Sequence, residues 1–433
     1  MAWDFSTEPE WQAELDWIEQ FCREEIEPFI LAFPFANEVG RHDDGRLPAK
    51  VREHLDGLKQ RVKDRGLWGI FLDKDIGGPG FGQLKLALVN EILGGYPAAP
   101  AIFGCQAPDT GNMDILAKYG TEEQKKKYLE PLFRQEIRSC YSMTEPQGGS
   151  DTRNFKTHAV KDGGEWVING EKWFSSFGKT ADILIVMCNN GMFIVEQGTP
   201  GLEFLDGSGI HAHIRYNNVR VPAENLLGPE GGAHQVAQFR LGGGRIHHAM
   251  RTVAQVKLAL DMMCERAISR ESRGKLISDH QSVRHAIADS YMQIEMLRLM
   301  VLQTAWKIDN TDTRQVRADI GACKVLAARV LRDVVYRAHH IHGSLGTTDL
   351  TPLQSMWASA PTMAMVDGPD EVHLDVIANT LLKGYEPHEG LFPREYLPAM
   401  RKAARERFQW LIDSDPEVKK HVEETDRYLS RAG

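Results

Sequence analysis

The hydrophobic periodicity of the sequence changes twice, and these changes limit the folds that the chain can adopt. From residue 8 to 135, apolar residues recur at helical spacing. From about 136 to 238 the pattern is one of short β-rich runs separated by turn sequences such as Asp-Gly-Gly and Asn-Gly. From residue 245 onward, three long amphipathic segments have helical spacing again. This order predicts an α+β protein with an N-terminal α-helical domain (1–135), a middle antiparallel β-sheet or barrel of five to eight strands (136–240) and a C-terminal α-helical bundle with a helical tail (241–433).

The net charge and the distribution of apolar residues exclude several classes of function. The 433 residues carry a net charge of −9, whereas a nucleic-acid-binding protein needs a basic face. No apolar run approaches the length of a membrane span. The acidic N-terminal sequence lacks the features of a signal or transit peptide. We therefore expect a cytoplasmic protein that binds no nucleic acid and has no membrane span.

Potential metal ligands do not form a recognisable site in the sequence. The six cysteines are scattered and contain no Cys-x-x-Cys pair, as expected for reduced thiols. His339, His340 and His342 lie close together, but their spacing does not fit a closed zinc site and no cysteine is near them in sequence. We expect no metal.

The sequence AMVDGPDEVHLDVIANTLLK places three acidic residues between an apolar run and a helix. Proline is favoured at the first helical position, so Pro369 predicts a helix start with Gly368 as the cap. Asp370 and Glu371 then lie in the first turn, where carboxylates stabilise the helix dipole. Asp367 lies outside the cap and has no such explanation. It is either a solvated turn residue or a catalytic base.

The sequence YSMTEPQGGSD, from Tyr141 to Asp151, lies where helical periodicity gives way to β periodicity. Its glycines and turn residues provide a permissive backbone with exposed N–H groups. Such a loop suits a flat polar ligand or a phosphate. It is also compatible with an elaborate turn that binds nothing.

Five motifs, taken in order, resemble those of the acyl-CoA dehydrogenase family. YSMTEPQGGSD and INGEKWFSSFGKTADILIVM are similar to its Thr-Glu-Pro, Gly-Ser-Asp and Asn-Gly-x-Lys motifs. SRESRGKLISDHQ resembles its arginine-to-His-Gln segment, HHIHGSLGTT its Gly-Gly-x-Gly segment, and VDGPDEVH its Glu-Gly-Thr-x-Glu base segment. The resemblance runs from about residue 10 to 385. It implies a fold with an N-terminal helical domain, a middle β-barrel and a C-terminal helical domain.

The resemblance also implies a reaction, the FAD-dependent dehydrogenation of an acyl-CoA thioester to a trans-2-enoyl-CoA. Asp367 stands where the family keeps a glutamate, so it would take the α-proton while flavin N5 takes the β-hydride. Aspartate is one methylene shorter, so either the backbone lies closer or the substrate binds differently. Some members place the base just before a helical arginine, but here that residue is Gly244, followed by Arg245, and glycine cannot be a base. Contacts with the acyl-CoA are implied for Ser150, Arg245 and Gly368.

Cofactor contacts follow from the same resemblance. The implied FAD-binding residues are Tyr141, Met143, Thr144, Gly149, Ser150, Phe174, Ser176, Arg270, Ser272, Ile277, His280, Gln281, His340, Gly343, Ser344, Pro369 and Glu371. In the family, the segment that begins at Arg270 reaches the FAD of a neighbouring subunit, so a homodimer or homotetramer is implied. Four of these positions depart from the family pattern: Phe174 replaces a frequent tryptophan, His340 a glutamine, Ser344 a glycine and Pro369 a threonine. The implied electron acceptor is an electron-transfer flavoprotein.

Other functions stay open on this reasoning. One is an acyl-CoA oxidase, which would give its electrons to oxygen. A second is a nitroalkane oxidase-like enzyme, because an aspartate base also suits proton removal from a nitroalkane. A third is a non-catalytic flavoprotein that scaffolds partners, although the motifs and Asp367 argue against it.

Overall fold

Helices, then sheets, then long helices follow one another along the chain, in the order that the periodicity predicts. The computed structural model describes residues 6–36, 47–74, 78–311, 315–387 and 393–431. The chain divides into two units, at residues 1–377 and 378–433. Among the helices in these described ranges, none combines the length and the apolar character needed to cross a membrane.

The first part of the chain is helical because its apolar residues lie on one helix face. Trp11, Leu15, Ile18 and Phe21 recur every three or four residues, and all four are buried. Thr121 starts a later helix through a capping box with Gln124, in which each side chain bonds the other residue's backbone N–H. The α-helices of this part are α1 (Pro9–Phe21), α2 (Glu27–Ala32), α3 (Ala49–Asp64), α4 (Gly82–Leu93), α5 (Ala99–Ile102), α6 (Asp109–Tyr119), α7 (Glu122–Gln124) and α8 (Glu130–Arg134), with π-helical turns at Cys22–Ile26 and Lys125–Leu129.

Seven strands form two sheets between Ser139 and Pro222, a stretch that the structure describes throughout. They are β1 (Ser139–Ser142), β2 (His158–Asp162), β3 (Glu165–Ser176), β4 (Ile183–Cys188), β5 (Gly191–Glu196), β6 (Leu202–Ser208) and β7 (His211–Pro222). One sheet has the order β1-β4-β5 and the other β2-β3-β7-β6. All pairs are antiparallel except β1 with β4, which is parallel and corrects the expectation of a wholly antiparallel sheet. The β2–β3 hairpin lies between these two strands in sequence and provides the long crossover that a parallel pair requires.

Three long helices confirm the predicted C-terminal helical segments. The elements are α9 (Ala233–Ser269), the short strands β8 (Glu271–Ser272) and β9 (Lys275–Leu276), α10 (Gln281–Asn310), α11 (Arg317–His342), α12 (Leu353–Met365) and α13 (Asp370–Leu382). Helix α13 begins one residue later than predicted, because the carbonyl of Pro369 accepts the first helical hydrogen bond and Pro369 is therefore the cap. Asp370 and Glu371 lie in the first turn, as predicted.

The smaller unit, considered alone, continues from α13 with three further helices. They are α14 (Leu397–Arg407), α15 (Gln409–Ile412) and α16 (Pro416–Arg431). Both carboxylate oxygens of Asp426 accept hydrogen bonds from Arg405, which joins α14 to α16.

Candidate active site

The loop that follows β1 is fixed by a buried ion pair between Glu145 and Lys172. Lys172 Nζ lies 2.8 Å from Glu145 Oε1 and donates another hydrogen bond to the Met143 carbonyl at 2.7 Å. The Glu145 carboxylate also accepts the backbone N–H groups of Lys156 at 2.6 Å and Thr157 at 2.9 Å. The side chains of the pair are 1% and 0% exposed. The Thr-Glu-Pro motif therefore supplies the acid and the Asn-Gly-Glu-Lys motif the base of one buried ion pair, which we call the Glu145 anchor.

The charge state of this anchor follows from its hydrogen bonds. Burial alone would raise the pKa of Glu145, but the hydrogen bonds from Lys172, Lys156 and Thr157 outweigh it and lower that pKa to about 2. Burial also lowers the pKa of Lys172, and Glu145 opposes that effect. Glu145 stays ionised at neutral pH, so it holds the loop in place and does not act as an acid or base.

A break in the pairing of β3 with β7 exposes Phe174 beside this loop. The register shifts between Lys172 and Ser175, and Phe174 has a φ of +52° and is 52% exposed. Trp173 stacks on Phe174, with ring centroids 5.0 Å apart, and its backbone N–H donates to the Thr144 carbonyl at 2.8 Å. This hydrogen bond ties the exposed aromatic pair to the loop.

Tyr141 carries a buried hydroxyl that has no hydrogen-bond partner among the described residues. The Arg240 guanidinium lies over its ring, 3.8 Å from the centroid. Burial raises the pKa of Tyr141 to about 12; Arg240 opposes this shift and Asp367 adds to it. A buried polar group without a partner costs about 1–3 kcal/mol. The hydroxyl therefore suits a position where a bound ligand completes its hydrogen bonding.

Asp367 lies in a strained turn between α12 and α13. Its φ is +55°, which is uncommon for a residue other than glycine, and Gly368 follows with a φ of +101°. The carbonyl oxygen of Asp367 accepts hydrogen bonds from Arg245 Nε at 3.0 Å and Nη2 at 2.9 Å, and His373 Nε2 lies 3.3 Å away. Burial lowers the pKa of His373 to about 4, so its ring is neutral and can donate to that carbonyl. These contacts hold a backbone conformation that would otherwise be unfavourable.

The carboxylate of Asp367 faces helix α9. Its Oδ2 lies 3.5 Å from His248 Nε2, and a Cβ added to Gly244 would lie 3.5 Å from the same oxygen. The Asp367 side chain is only 19% exposed, so the carboxylate is not turned out into bulk solvent. We refer to Tyr141, Arg240, Gly244, His248 and Asp367 as the Asp367 cluster.

A buried lysine fixes both ends of the Asp367 turn. Lys324 Nζ donates to the Ala364 carbonyl at 2.7 Å and to Asp370 Oδ1 at 3.2 Å. Its side chain is 2% exposed, and burial lowers the pKa of Lys324 while Asp370 opposes the shift. Lys324 of helix α11 and Arg245 of helix α9 therefore both stabilise the Asp367 turn through hydrogen bonds.

Some of the predicted site residues lie next to Asp367, and others lie in the loop after β1 and at the end of β3. Arg245 and Gly368 flank Asp367 directly, and a Cβ on Gly368 would lie 3.1 Å from His373 Nε2. The loop that begins at Tyr141 carries Met143, Thr144, Gly149 and the exposed Ser150, and a Cβ on Gly149 would lie 3.5 Å from Thr144 Cγ2. Ser176 ends β3, with its Oγ 2.9 Å from His211 Nδ1. Pro369 and the exposed Glu371 follow the cluster at the start of α13.

The remaining predicted site residues lie in two other segments, at the hairpin after α9 and at the end of α11. The segment 270–281, which contains the β8–β9 hairpin, holds Arg270, Ser272, Ile277, His280 and Gln281, of which Arg270, Ser272 and Gln281 are exposed. His340 lies in the last turn of α11, Gly343 and Ser344 lie in the 3-10 turn that follows, and all three are exposed. Gly343 has a φ of +64°, which glycine adopts without strain.

The histidines at the end of α11 have separate partners. His339 Nε2 lies 3.1 Å from the Leu353 carbonyl, and His342 Nδ1 lies 2.9 Å from the Ala338 carbonyl. Within the described ranges, no group of three or more His, Cys, Asp or Glu side chains is arranged to hold a metal ion.

Sequence reasoning missed five residues that shape the site: Glu145, Lys172, Arg240, His248 and Lys324. Glu145 and Lys172 stand in motifs that were recognised, and their opposite charges were the available signal for a pair. His248 lies three residues after Arg245, which places both on one face of a helix. Arg240 and Lys324 gave no local signal, because their partners are distant in sequence.

Three family descriptions match the chain in order. Residues 8–136 match the acyl-CoA dehydrogenase N-terminal domain, residues 140–216 the middle domain and residues 230–382 the C-terminal domain.

Relatives of known family cover most of the chain. The chain is 38% identical over 387 residues to the probable acyl-CoA dehydrogenase FadE2 of Mycobacterium tuberculosis, a match that spans 83% of this chain and 94% of that protein. It is also 38% identical over 385 residues to acyl-CoA dehydrogenase family member 11 of Gallus gallus, spanning 83% of this chain but 49% of that protein. The chain therefore spans about half the length of the family member 11 proteins.

The fold is shared with solved structures. Butyryl-CoA dehydrogenase of Megasphaera elsdenii superposes with a TM-score of 0.72 at 28% identity, over 88% of this chain and 100% of that chain. Together with the three domain matches and the relatives, this likeness shows that the chain belongs to the acyl-CoA dehydrogenase family.

Proposed function

We propose that this chain oxidises an acyl-CoA thioester to the trans-2-enoyl-CoA, with FAD as cofactor and Asp367 as the base. The environment of Asp367 is the main support. In the described part of the chain, no Lys or Arg side chain lies within ion-pair distance of its carboxylate, so a full positive charge does not neutralise it. A sheltered carboxylate of this kind suits proton abstraction from carbon next to a thioester carbonyl.

The residues present fit a bound flavin. The Tyr141 hydroxyl is buried without a partner, and Phe174 presents a half-exposed aromatic face next to the Thr144 loop. Bound FAD supplies the acceptor for the hydride that leaves the β-carbon of the substrate. Tyr141, Met143, Thr144 and Phe174 would hold the ring, and the buried Glu145 anchor keeps that loop in one conformation.

The turn at Asp367 offers both a base and hydrogen-bond donors. The backbone N–H groups of Asp367 and Gly368 have no hydrogen-bond partner among the described residues. They are therefore available to the thioester oxygen, on which negative charge develops as the Asp367 carboxylate takes the α-proton. Arg245 binds the carbonyl oxygen of Asp367 in the same turn. These hydrogen bonds keep the carboxylate and the two N–H groups in a fixed position relative to each other.

We also propose that two or four copies of the chain share their cofactor sites. Arg245 lies in the first half of α9 and Arg270 directly follows its last residue, so a rise of 1.5 Å per residue separates them by roughly 37 Å. One FAD molecule seated at the Asp367 cluster does not span that distance. The exposed hairpin after Arg270 would then meet the FAD of a neighbouring subunit, in a homodimer or homotetramer.

The electron acceptor we propose is an electron-transfer flavoprotein. Trp173 and Phe174 are 39% and 52% exposed and form an aromatic surface next to the flavin-binding loop. One similar solved structure, at 26% identity and a TM-score of 0.74 over 88% of this chain, is described as the electron transferring flavoprotein of Acidaminococcus fermentans. A cytoplasmic location remains our expectation.

Anaerobic titration with a panel of acyl-CoA thioesters of different chain length and substitution tests this proposal. We expect at least one thioester to bleach the flavin absorbance, with no peroxide formed when the same mixture turns over in air. Peroxide formation would instead identify an oxidase, and bleaching by nitroethane but by no thioester would identify a nitroalkane oxidase. A purified protein that cannot take up FAD would contradict every flavoenzyme assignment.

A further inference from the structure

His248 approaches the carboxylate of Asp367 from the long helix α9. Its Nε2 lies 3.5 Å from Asp367 Oδ2, and the two side chains are 34% and 19% exposed. His248 lies one helical turn after Arg245 and Gly244, so all three face the same turn of the chain. The sequence motifs assign no role to this histidine.

Helix α9 therefore approaches Asp367 at two points. Arg245 binds the carbonyl oxygen with two hydrogen bonds, and His248 lies beside the carboxylate. The carbonyl contacts fix the backbone of Asp367 but leave its side-chain torsion free. A short aspartate side chain has little reach, so the direction of its carboxylate decides whether an oxygen meets the α-proton.

The charges around His248 favour a neutral imidazole. Burial lowers the pKa of His248, Asp367 opposes the shift, and Arg251, Arg240 and Lys324 lower the pKa further. These groups come from α9 itself, from the Asp367 turn and from α11. A neutral imidazole donates one N–H without cancelling the negative charge of the carboxylate, whereas a lysine or arginine in its place would make Asp367 a weaker base.

We propose that His248 is a positioning residue for the catalytic base: it holds Oδ2 of Asp367, so that Oδ1 is left to take the α-proton. This inference depends on the proposed function, in which Asp367 is the base. The histidine transfers no proton itself. It restricts the carboxylate to one orientation and thereby raises the fraction of bound substrate that is ready to react.

Stopped-flow measurement of anaerobic flavin bleaching tests the positioning role. We expect His248→Ala to slow bleaching by about 10- to 100-fold, the size of effect that a small misplacement of a reacting group produces. FAD content and the dissociation constant of the acyl-CoA should change little. His248→Gln keeps an N–H donor and should recover most of the rate. The matched control is His285→Gln, at an exposed position on α10, which should leave the rate unchanged.

Three kinetic results would overturn the inference. One is a bleaching rate in His248→Ala equal to that of the wild type, and another is a His248→Gln variant as slow as the alanine variant. A slow His248→Ala variant that has also lost its FAD would likewise contradict it, because a positioning residue should leave the cofactor bound.

A second measurement does not depend on turnover. In FAD-loaded protein with isotope-labelled histidine, the His248 resonance, identified by its loss in His248→Gln, can be titrated with and without Asp367→Asn. Because the Asp367 carboxylate raises the His248 pKa, we expect that pKa to fall when the carboxylate becomes an amide. An unchanged pKa would overturn the pairing. If no thioester bleached the wild type, the proposed function would fail while this titration still tested the pair.

Discussion

Gly244 and Asp367 approach the same point from opposite elements: a Cβ on Gly244, in helix α9, would lie 3.5 Å from Oδ2 of Asp367. A carboxylate at this point can therefore be carried either by residue 244 in the helix or by residue 367 in the turn. In this chain the helix position is glycine, and the space that a longer side chain would occupy is left to the carboxylate from the turn.

The first prediction concerns loss of the base. Asp367→Asn keeps the shape of the side chain and the hydrogen bonds to the Asp367 carbonyl, so FAD binding should be retained. Because a general base contributes about 10²- to 10⁴-fold, the rate of anaerobic flavin bleaching should fall by that factor. Full activity of this variant, measured with the thioester that bleaches the wild type fastest, would rule out Asp367 as the base.

The second prediction moves the base to the helix. Asp367→Gly should be inactive, and adding Gly244→Glu should restore bleaching to at least about tenfold above that single variant, since the Cβ of the new side chain lies 3.5 Å from the position of Asp367 Oδ2. Glutamate also favours a helix interior more than glycine does. The control is Asp367→Gly with Gly244→Gln, which supplies the same volume without a carboxylate. Equal rates in the glutamate and glutamine variants would show that the helix position cannot serve the reaction.

The third prediction concerns the anchor of the flavin loop. Lys172→Met leaves Glu145 buried without its cation and should lower the free energy of unfolding by about 3–5 kcal/mol, with loss of FAD. Lys161→Met is the matched control, because its ion pair with Glu230 is 61% and 54% exposed and should contribute less than about 1 kcal/mol. Urea denaturation followed by tryptophan fluorescence compares the two variants. Equal effects would mean that burial of the Glu145 pair adds nothing.

The fourth prediction is a pH dependence of stability. The folded-state pKa of Glu145 is lowered from 4.5 to about 2, so its stabilising contribution is present above about pH 4.5 and is lost as the pH falls toward 2. That shift corresponds to about 3 kcal/mol for a side chain that is only 1% exposed. Glu145→Gln cannot titrate, so the difference in unfolding free energy between wild type and variant should shrink as the pH is lowered through this range. A difference that stays constant would show that Glu145 is not the titrating group.

Helices of the fold were predictable because their signals are local. Trp11 and Ile18 share a helix face, and Thr121 caps a helix through a residue three positions away. The parallel pairing of β1 with β4 could not be predicted in this way, because it depends on where a whole intervening hairpin packs.

The Asp367 cluster was only partly predictable for a related reason. Asp367 drew attention because helix capping does not explain it. Its partner Arg245 lies 122 residues earlier in the chain, and periodicity cannot report a contact at that separation. The sequence does not predict the positive φ of Asp367 either, since an aspartate before glycine occurs in many ordinary turns.

Helix α9 carries Arg245 in its first half and is followed directly by Arg270, so under the proposed function it contributes to two different cofactor sites. In an assembly where each cofactor draws on two chains, one inactive variant could be rescued by another. Suppose that Asp367→Asn chains assemble with Arg270→Ala chains. One shared site then contains both substituted residues, and the other contains Asp367 and Arg270 unchanged. Mixing two defective preparations, followed by dissociation and reassembly, would then regenerate enzyme that neither preparation contains alone.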